Sequence, residues 1–308
     1  MKRFLFVLIF IVTAAGPAEA EKLTLMLDWF PNVDHLPIYT AAQKGFFQEA
    51  GLDVEILSPS ETTDGLKLAA AGQVDLAVSY QPQATIAAAS GLPVRVVGRL
   101  VSHPLTTLLF LKDSGIRTPA DLSGRRIGYT VPGLMDVLLA AFAKMNAVED
   151  YQAVNVGFAI VQSLSAGRVD AVMGPFKTYE TVEMAHRGLA AGYFELEKYG
   201  IPDYDELIFV CGPQTLEKRR AELEAFIAAV ARGIAAVRED PSEALELYFK
   251  AVPDADHRTE TEALALTLPY FAQDQRLDPE RWRRFADFAL AHKLIDQPVD
   301  VDRLLAQP

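Results

Sequence analysis

From residue 21 onward the chain alternates short apolar runs with longer stretches whose apolar positions recur at helical spacing. Gly, Pro and Asn punctuate most changes of period. The pattern predicts a strand over Leu23–Leu27, a helix over Ile38–Ala50 closed by Gly51, and a strand over Val54–Leu57. A helix over Asp64–Ala71 ends at Gly72, a strand follows at Asp75–Ser79, then a helix over Pro82–Ala89 and a strand over Val94–Leu100. A second unit opens near Thr118, where Thr118-Pro119-Ala120-Asp121 offers an N-cap hydroxyl with proline in the first turn. Further strands are predicted at Arg126–Thr130, Val154–Phe158, Ala171–Gly174 and Leu207–Val210, with an apolar helix at Met135–Met145. From Thr215 the chain turns mainly helical, over Leu216–Arg238, Pro241–Lys250, Glu260–Ala272 and Pro279–His292. Alternation of this kind predicts an α/β fold.

One short echo bears on the architecture. Ala71-Gly72-Gln73-Val74-Asp75 recurs 95 residues later as Ala166-Gly167-Arg168-Val169-Asp170, each copy between a predicted helix and a predicted strand. It is either a common helix-to-strand turn or the mark of two similar lobes. Two such lobes would offer the C-terminal ends of their strands to a shared cleft, where open α/β sheets bind ligands.

The residues just after those strands therefore carry the candidate chemistry. Trp29, Tyr80 and Tyr179 offer flat aromatic faces, Asn32, Gln81 and Gln83 offer amides, and His35 and Glu180 offer an imidazole and a carboxylate. Aromatic faces stack on planar rings, and a carboxylate accepts N–H bonds from an amino-substituted heterocycle. Tyr39, on the helix that follows the first strand, joins this group. Each also has a plainer role: Trp29 and Tyr39 as packing, His35 as a tie within its loop, Tyr80 and Gln81 as turn residues, and Glu180 as a solvated first-turn carboxylate. The acidic clusters Glu195-Leu196-Glu197 and Asp203-Tyr204-Asp205-Glu206 read as solvated faces.

Composition narrows the class of function. Half of the 308 residues are apolar and the formal charge is −12, which disfavours a nucleic-acid partner. Lys2 and Arg3 precede the apolar run Phe4–Ala15, followed by Gly16, Pro17 and Ala18-Glu19-Ala20. This is the plan of a secretory signal peptide over residues 1–20, with cleavage expected after Ala20. The single cysteine, Cys211, excludes a disulfide within the chain, and with no Cys after the cleavage site the exported product is expected unanchored in the periplasm. There is no phosphate-binding glycine loop, no HExxH and no GxSxG, and five scattered His residues lack metal-ligand spacing. Nothing here marks a hydrolase or a metalloenzyme, and no metal or cofactor is expected.

The run Leu27-Asp28-Trp29-Phe30-Pro31-Asn32-x-x-His35-x-Pro37-Ile38-Tyr39, continued by Lys44-Gly45-Phe46-Phe47-x-x-x-Gly51-Leu52-Asp53-Val54, resembles the opening signature of the thiamine pyrimidine synthase-like superfamily. Gly72-x-Val74-Asp75, Asp121-Leu122-x-Gly124-x-x-Ile127-Gly128-Tyr129 and Asp170-Ala171-Val172-Met173-Gly174 extend the similarity through most of residues 23–212. The resemblance implies a type II periplasmic-binding-protein fold, two hinged lobes with a ligand cleft between them. Lobe one would comprise residues 21–108 and 209–308 and lobe two residues 109–208, joined by crossover strands near Leu108–Leu111 and Leu207–Val210. It further implies a monomeric receptor that delivers a thiamine pyrimidine precursor, of formylaminopyrimidine type, to an ABC permease in the inner membrane. Trp29, His35 and the Tyr80-Gln81 turn would form pocket walls, and Glu180 would grip the exocyclic amino group. Alkanesulfonate, taurine and riboflavin-like ligands are the alternatives among similar receptors. The synthase of the same superfamily uses a lysine for pyridoxal phosphate and a reacting histidine; those positions fall on Ser79 and Gln83 here. Its phosphate loop corresponds to Val131-Pro132-Gly133-Leu134, which carries no cation, and its Cys-rich iron motif is absent.

Overall fold

A computed structural model describes residues 21–306. The expected signal segment, residues 1–20, lies outside the described residues. Two five-stranded sheets organise the rest. The first holds β1 (Glu21–Met26), β2 (Leu52–Leu57), β3 (Leu76–Ser79), β4 (Arg95–Val101) and a late strand, β10 (Leu207–Cys211). Its order is β2-β1-β3-β10-β4, with β1 parallel to β2 and β3 and with β10 antiparallel to both neighbours. The second holds β5 (Thr106–Leu111), β6 (Arg126–Tyr129), β7 (Gln152–Asn155), β8 (Ala171–Phe176) and β9 (Ala191–Glu195), in the order β7-β6-β8-β5-β9. There β6 is parallel to β7 and β8, and β5 is antiparallel to β8 and β9.

The two sheets thus share one plan, and the sequence echo sits at equivalent points of it. Gly72 and Gly167 both end a helix with positive φ, +69° and +62°, where a side chain would be strained. Asp75 and Asp170 both reach the adjoining strand: Asp75 Oδ2 accepts from the Thr24 N–H at 2.8 Å, and Asp170 Oδ2 from the Arg126 N–H at 2.9 Å. The same turn and the same strand tie recur in equivalent lobes, which resolves the echo in favour of two matching halves.

Twelve α-helices among the described residues flank the sheets: α1 (Leu36–Gln43), α2 (Phe46–Glu49), α3 (Asp64–Ala70), α4 (Gln81–Ala89), α5 (Met135–Met145), α6 (Ile160–Ser165), α7 (Glu180–His186), α8 (Pro213–Glu239), α9 (Pro241–Ala251), α10 (His257–Thr267), α11 (Pro279–Ala291) and α12 (Val301–Leu304). The single helix expected over Ile38–Ala50 is two, because Gly45 takes φ +76° between α1 and α2. The strand expected at Val154–Phe158 stops at Asn155, leaving Phe158 in a loop, and β9 carries too little apolar alternation to be read from sequence. None of the described helices is long and apolar enough to cross a membrane.

The chain crosses between sheets twice, at residues 102–105 and 202–206, just ahead of β5 and β10. Here Asp203 is exposed as expected, but the rest of the acidic cluster is buried: Tyr204, Asp205 and Glu206 are each 1% exposed or less. Glu206 joins the crossings, accepting from the backbone N–H groups of Leu105 and Thr106 and from the Thr106 hydroxyl at 2.8 Å. Burial, partly opposed by these bonds, pushes its carboxyl up to about 7. Asp205 is held by Arg281 Nη1 at 2.6 Å and the Trp282 indole N–H at 3.0 Å, while Arg281 also donates to the Ser102 carbonyl. Helix α11 thereby staples both crossings. Glu195 and Glu197 are not free either, for both pair with Lys177, at 3.3 and 3.2 Å. Acids misread as surface charge are thus the ties of the hinge. Glu206→Ala strips acceptors from two buried N–H groups and is expected to cost about 3 kcal/mol of unfolding free energy, measured by urea titration.

Candidate functional site

The C-terminal edges of the two sheets enclose a cavity of about 390 Å³, part of it open to solvent. Asp28, Trp29, Asn32, Asp34, His35 and Tyr80 line it from the first sheet, and Thr130, Ile160, Gly174, Phe176, Tyr179 and Glu180 from the second, with Leu207 at the crossing.

The first wall is the loop after β1. Asn32 caps a 3₁₀ turn over Val33–His35, its Oδ1 accepting from the Asp34 N–H at 2.9 Å, while His35 Nδ1 accepts from the Asn32 N–H at 3.4 Å. His35 Nε2 then donates to Asp28 Oδ1 at 2.9 Å, and the Tyr80 hydroxyl donates to Asp28 Oδ2 at 2.7 Å. Both His35 nitrogens are engaged, so this histidine orders the loop. Asp28 gathers His35 and Tyr80, from two different strand ends, into one buried unit.

The second wall follows β8. Gly174 has φ +124°, and a Cβ there would stand 2.1 Å from Thr130 Oγ1, so glycine is required for the close approach of β8 to Thr130. The turn delivers Tyr179 and Glu180 to the cavity. Glu180 Oε2 accepts from the Phe176 N–H at 2.6 Å, and burial pushes its carboxyl up to about 8. The Tyr179 hydroxyl donates to Glu260 Oε1 at 2.8 Å, and Glu260 Oε2 accepts from the Val33 N–H at 2.8 Å. Glu260, on α10, therefore joins the loop of the first wall to the helix start of the second; burial pushes its carboxyl up to about 7.

Other contacts also span the cleft. Thr62 Oγ1 donates to the Thr130 carbonyl at 3.0 Å, and the Phe158 ring meets Trp29 at 4.5 Å and Phe30 at 4.4 Å between centroids. His186 on α7 lies 3.0 Å from Thr259 Oγ1 and 2.8 Å from Glu262 Oε2 on α10. The structure is a closed one. A wider vestibule continues outward past Trp29 and Glu180, and its cations are paired: Arg187 with Glu183 and Arg258 with Glu262. The inner cavity is lined by three carboxyls and by no Lys or Arg.

Six of the nine residues singled out in the sequence meet here: Trp29, Asn32, His35, Tyr80, Tyr179 and Glu180. Tyr39, Gln81 and Gln83 do not. Tyr39 lies edge-on to Tyr248 at 5.3 Å inside the first lobe, because its place on α1 faces α8 and α9. Gln81 is wholly buried at the hinge, its Oε1 accepting from the Asp205 N–H at 2.8 Å. Gln83 accepts from the Ser79 hydroxyl at 2.7 Å and lines a separate groove. Sequence reasoning passed over Asp28, Asp34, Phe158 and Glu260. The first two stand in the same loop as Trp29, whereas Glu260 lies on a polar helix far along the chain and gives no local signal. Among the described residues no three His, Cys, Asp or Glu side chains are grouped to share a metal ion.

Comparison with known proteins adds to this geometry. The chain is 38% identical to a Haemophilus influenzae protein named for thiamine biosynthesis, covering 96% of this chain and 94% of that one. It is 34% identical to the formylaminopyrimidine-binding protein of Halalkalibacterium halodurans, over 93% and 90% of the two chains. It is 28% identical to the 4-amino-5-hydroxymethyl-2-methylpyrimidine phosphate synthase of Legionella pneumophila, over 92% and 90%. The relatives thus include both a binding protein and an enzyme. The alkanesulfonate-binding protein of Xanthomonas axonopodis pv. citri, solved with MOPS bound, superposes with a TM-score of 0.75 over 94% of this chain and 100% of that one, at 17% identity. Its likeness identifies the two-lobed α/β fold of the periplasmic binding proteins. A family profile described as NMT1/THI5 like matches residues 32–244, and the chain belongs to that family.

Proposed function

We propose that this chain is the periplasmic ligand-binding component of an ABC importer, that it is not an enzyme, and that it captures a thiamine pyrimidine precursor bearing a ring amino group. The observation that carries this reading is the Glu180 carboxyl, buried in an aromatic-walled cavity without a cation and pushed up to about 8. At neutral pH such a group is largely protonated, so it presents an O–H donor beside a carbonyl acceptor. A 4-aminopyrimidine presents the complement, a ring nitrogen that accepts beside an amino N–H that donates. Trp29 and Tyr179 supply faces for the ring, and the relative named for formylaminopyrimidine binding covers nearly the same length of chain.

The same features weigh against the rivals. A sulfonate or other anion would meet Asp28, Asp34 and Glu180 with no Arg or Lys in the inner cavity. For the synthase reading, Ser79 and Gln83 stand where the resemblance places the reactive lysine and histidine, and they bond to each other. Neither forms a Schiff base or donates an imidazole.

Recognition and closure are one event in this account. The cavity walls belong to different sheets, so a ring held between them favours the closed state. Tyr179 serves both roles, as a ring face and, through Glu260, as a latch. A membrane permease would then receive the closed form.

Two outcomes follow. An excess of 4-amino-5-hydroxymethyl-2-methylpyrimidine or of formylaminopyrimidine at 100 times its Kd stabilises the native state by about 2.7 kcal/mol, read as a rise in Tm, and taurine gives none. Glu180→Ala removes the rise; stabilisation by taurine with no response to the pyrimidines would contradict the reading. Tyr179→Phe keeps the ring and loses the latch, so stopped-flow fluorescence should show pyrimidine release about tenfold faster with entry little changed.

A further inference from the structure

Asp34 stands beside His35 in the loop after β1, and its side chain is 1% exposed. Its Oδ1 accepts from the Thr267 hydroxyl at 3.2 Å. Its Oδ2 is buried and has no hydrogen-bond partner among the described residues, although Asp34 lines the cavity. A buried acceptor left unpaired is costly, and folded proteins rarely tolerate one without a use. No cation lines the inner cavity to offset it, and burial, with Asp28 nearby, pushes this carboxyl up to about 6. Asp34 is in turn one of the charges that push Glu180 up, so the two carboxyls sense each other across the same space.

A ring amino group is planar and carries two N–H bonds that diverge in the ring plane. Glu180, facing the amino group and the adjacent ring nitrogen, uses one of them. Resting on the aminopyrimidine reading, we infer that Asp34 Oδ2 accepts the second N–H, so that the site selects an unsubstituted primary amino group on its ligand. Asp34 is then a specificity-determining residue that the resemblance did not assign. A ligand with only one N–H leaves this oxygen unpaired, and sites with an unmet polar group reject such analogues strongly.

The test is calorimetry of the purified protein with 4-amino-5-hydroxymethyl-2-methylpyrimidine and with its N-methylamino analogue. The native protein is expected to prefer the primary amine by roughly 10- to 100-fold. Asp34→Ala is expected to bind the primary amine more weakly by a similar factor, and to hold the two compounds within about threefold of each other, since protein and ligand groups in contact are not additive. Asp34→Asn separates this role from a structural one: by removing a buried charge without a cation it should raise the unliganded Tm at pH 8 while weakening binding. An unchanged methyl penalty in Asp34→Ala, or a lowered Tm with full affinity in Asp34→Asn, overturns the inference. A native protein that ignores both pyrimidines overturns the aminopyrimidine reading itself, and this inference with it.

Discussion

A carboxyl buried without a cation is the constraint on which the site turns. Burial of Glu180 without a cation penalises its ionised form and pushes the carboxyl up to about 8, which favours the protonated form at neutral pH. That penalty exists because both walls are present: the Asp28–His35–Tyr80 unit on one side and the β8–α7 turn on the other. Parting the walls would admit water and return the carboxyl toward its ordinary value. In the proposed reading, protonation, closure and the grip on an amino-heterocycle are three expressions of one burial.

The rest of the fold brings the two walls together. The two sheets share one strand order, and one buried apolar cluster runs through both, from Leu25 and Phe209 in the first to Phe110 and Met173 in the second. The crossings that join them are fixed by Asp205, Glu206 and Arg281, which leave a short, well-tied hinge. The hydrogen bonds and ring contacts described across the cleft are individually weak, namely Thr62 to Thr130, Tyr179 to Glu260, His186 to α10 and Phe158 to Trp29. Contacts of this size bias an equilibrium without locking it. A ligand that adds a stacked ring and several hydrogen bonds has enough differential affinity to decide it.

Much of this was legible in the sequence, for identifiable reasons. Short apolar strands between helices pointed to the sheets, whereas the Gly-x-Val-Asp echo left a common turn and two matching lobes open until the structure placed both copies at equivalent points, each with a positive-φ glycine and a strand-tying carboxylate. The rule that ligands bind at strand ends led to Trp29, Tyr80 and Glu180. It overreached at Gln81, since adjacent residues at a helix start point in different directions: Tyr80 toward Asp28 and Gln81 toward the hinge. Asp205 and Glu206 were misread because their partners, Arg281, Trp282 and Thr106, are distant in sequence. Glu260 was invisible for the same reason.

The most direct measurement is ligand affinity as a function of pH, by calorimetry from pH 6 to pH 10. A carboxyl whose native value is raised keeps its proton below that value and loses it above. If that proton bridges Glu180 and the ring nitrogen, the affinity for an aminopyrimidine stays level up to about pH 8 and then falls roughly tenfold per unit. In Glu180→Gln, whose amide cannot ionise, the fall should vanish. Affinity that holds level to pH 10 in the native protein, or falls equally in the variant, would contradict the account.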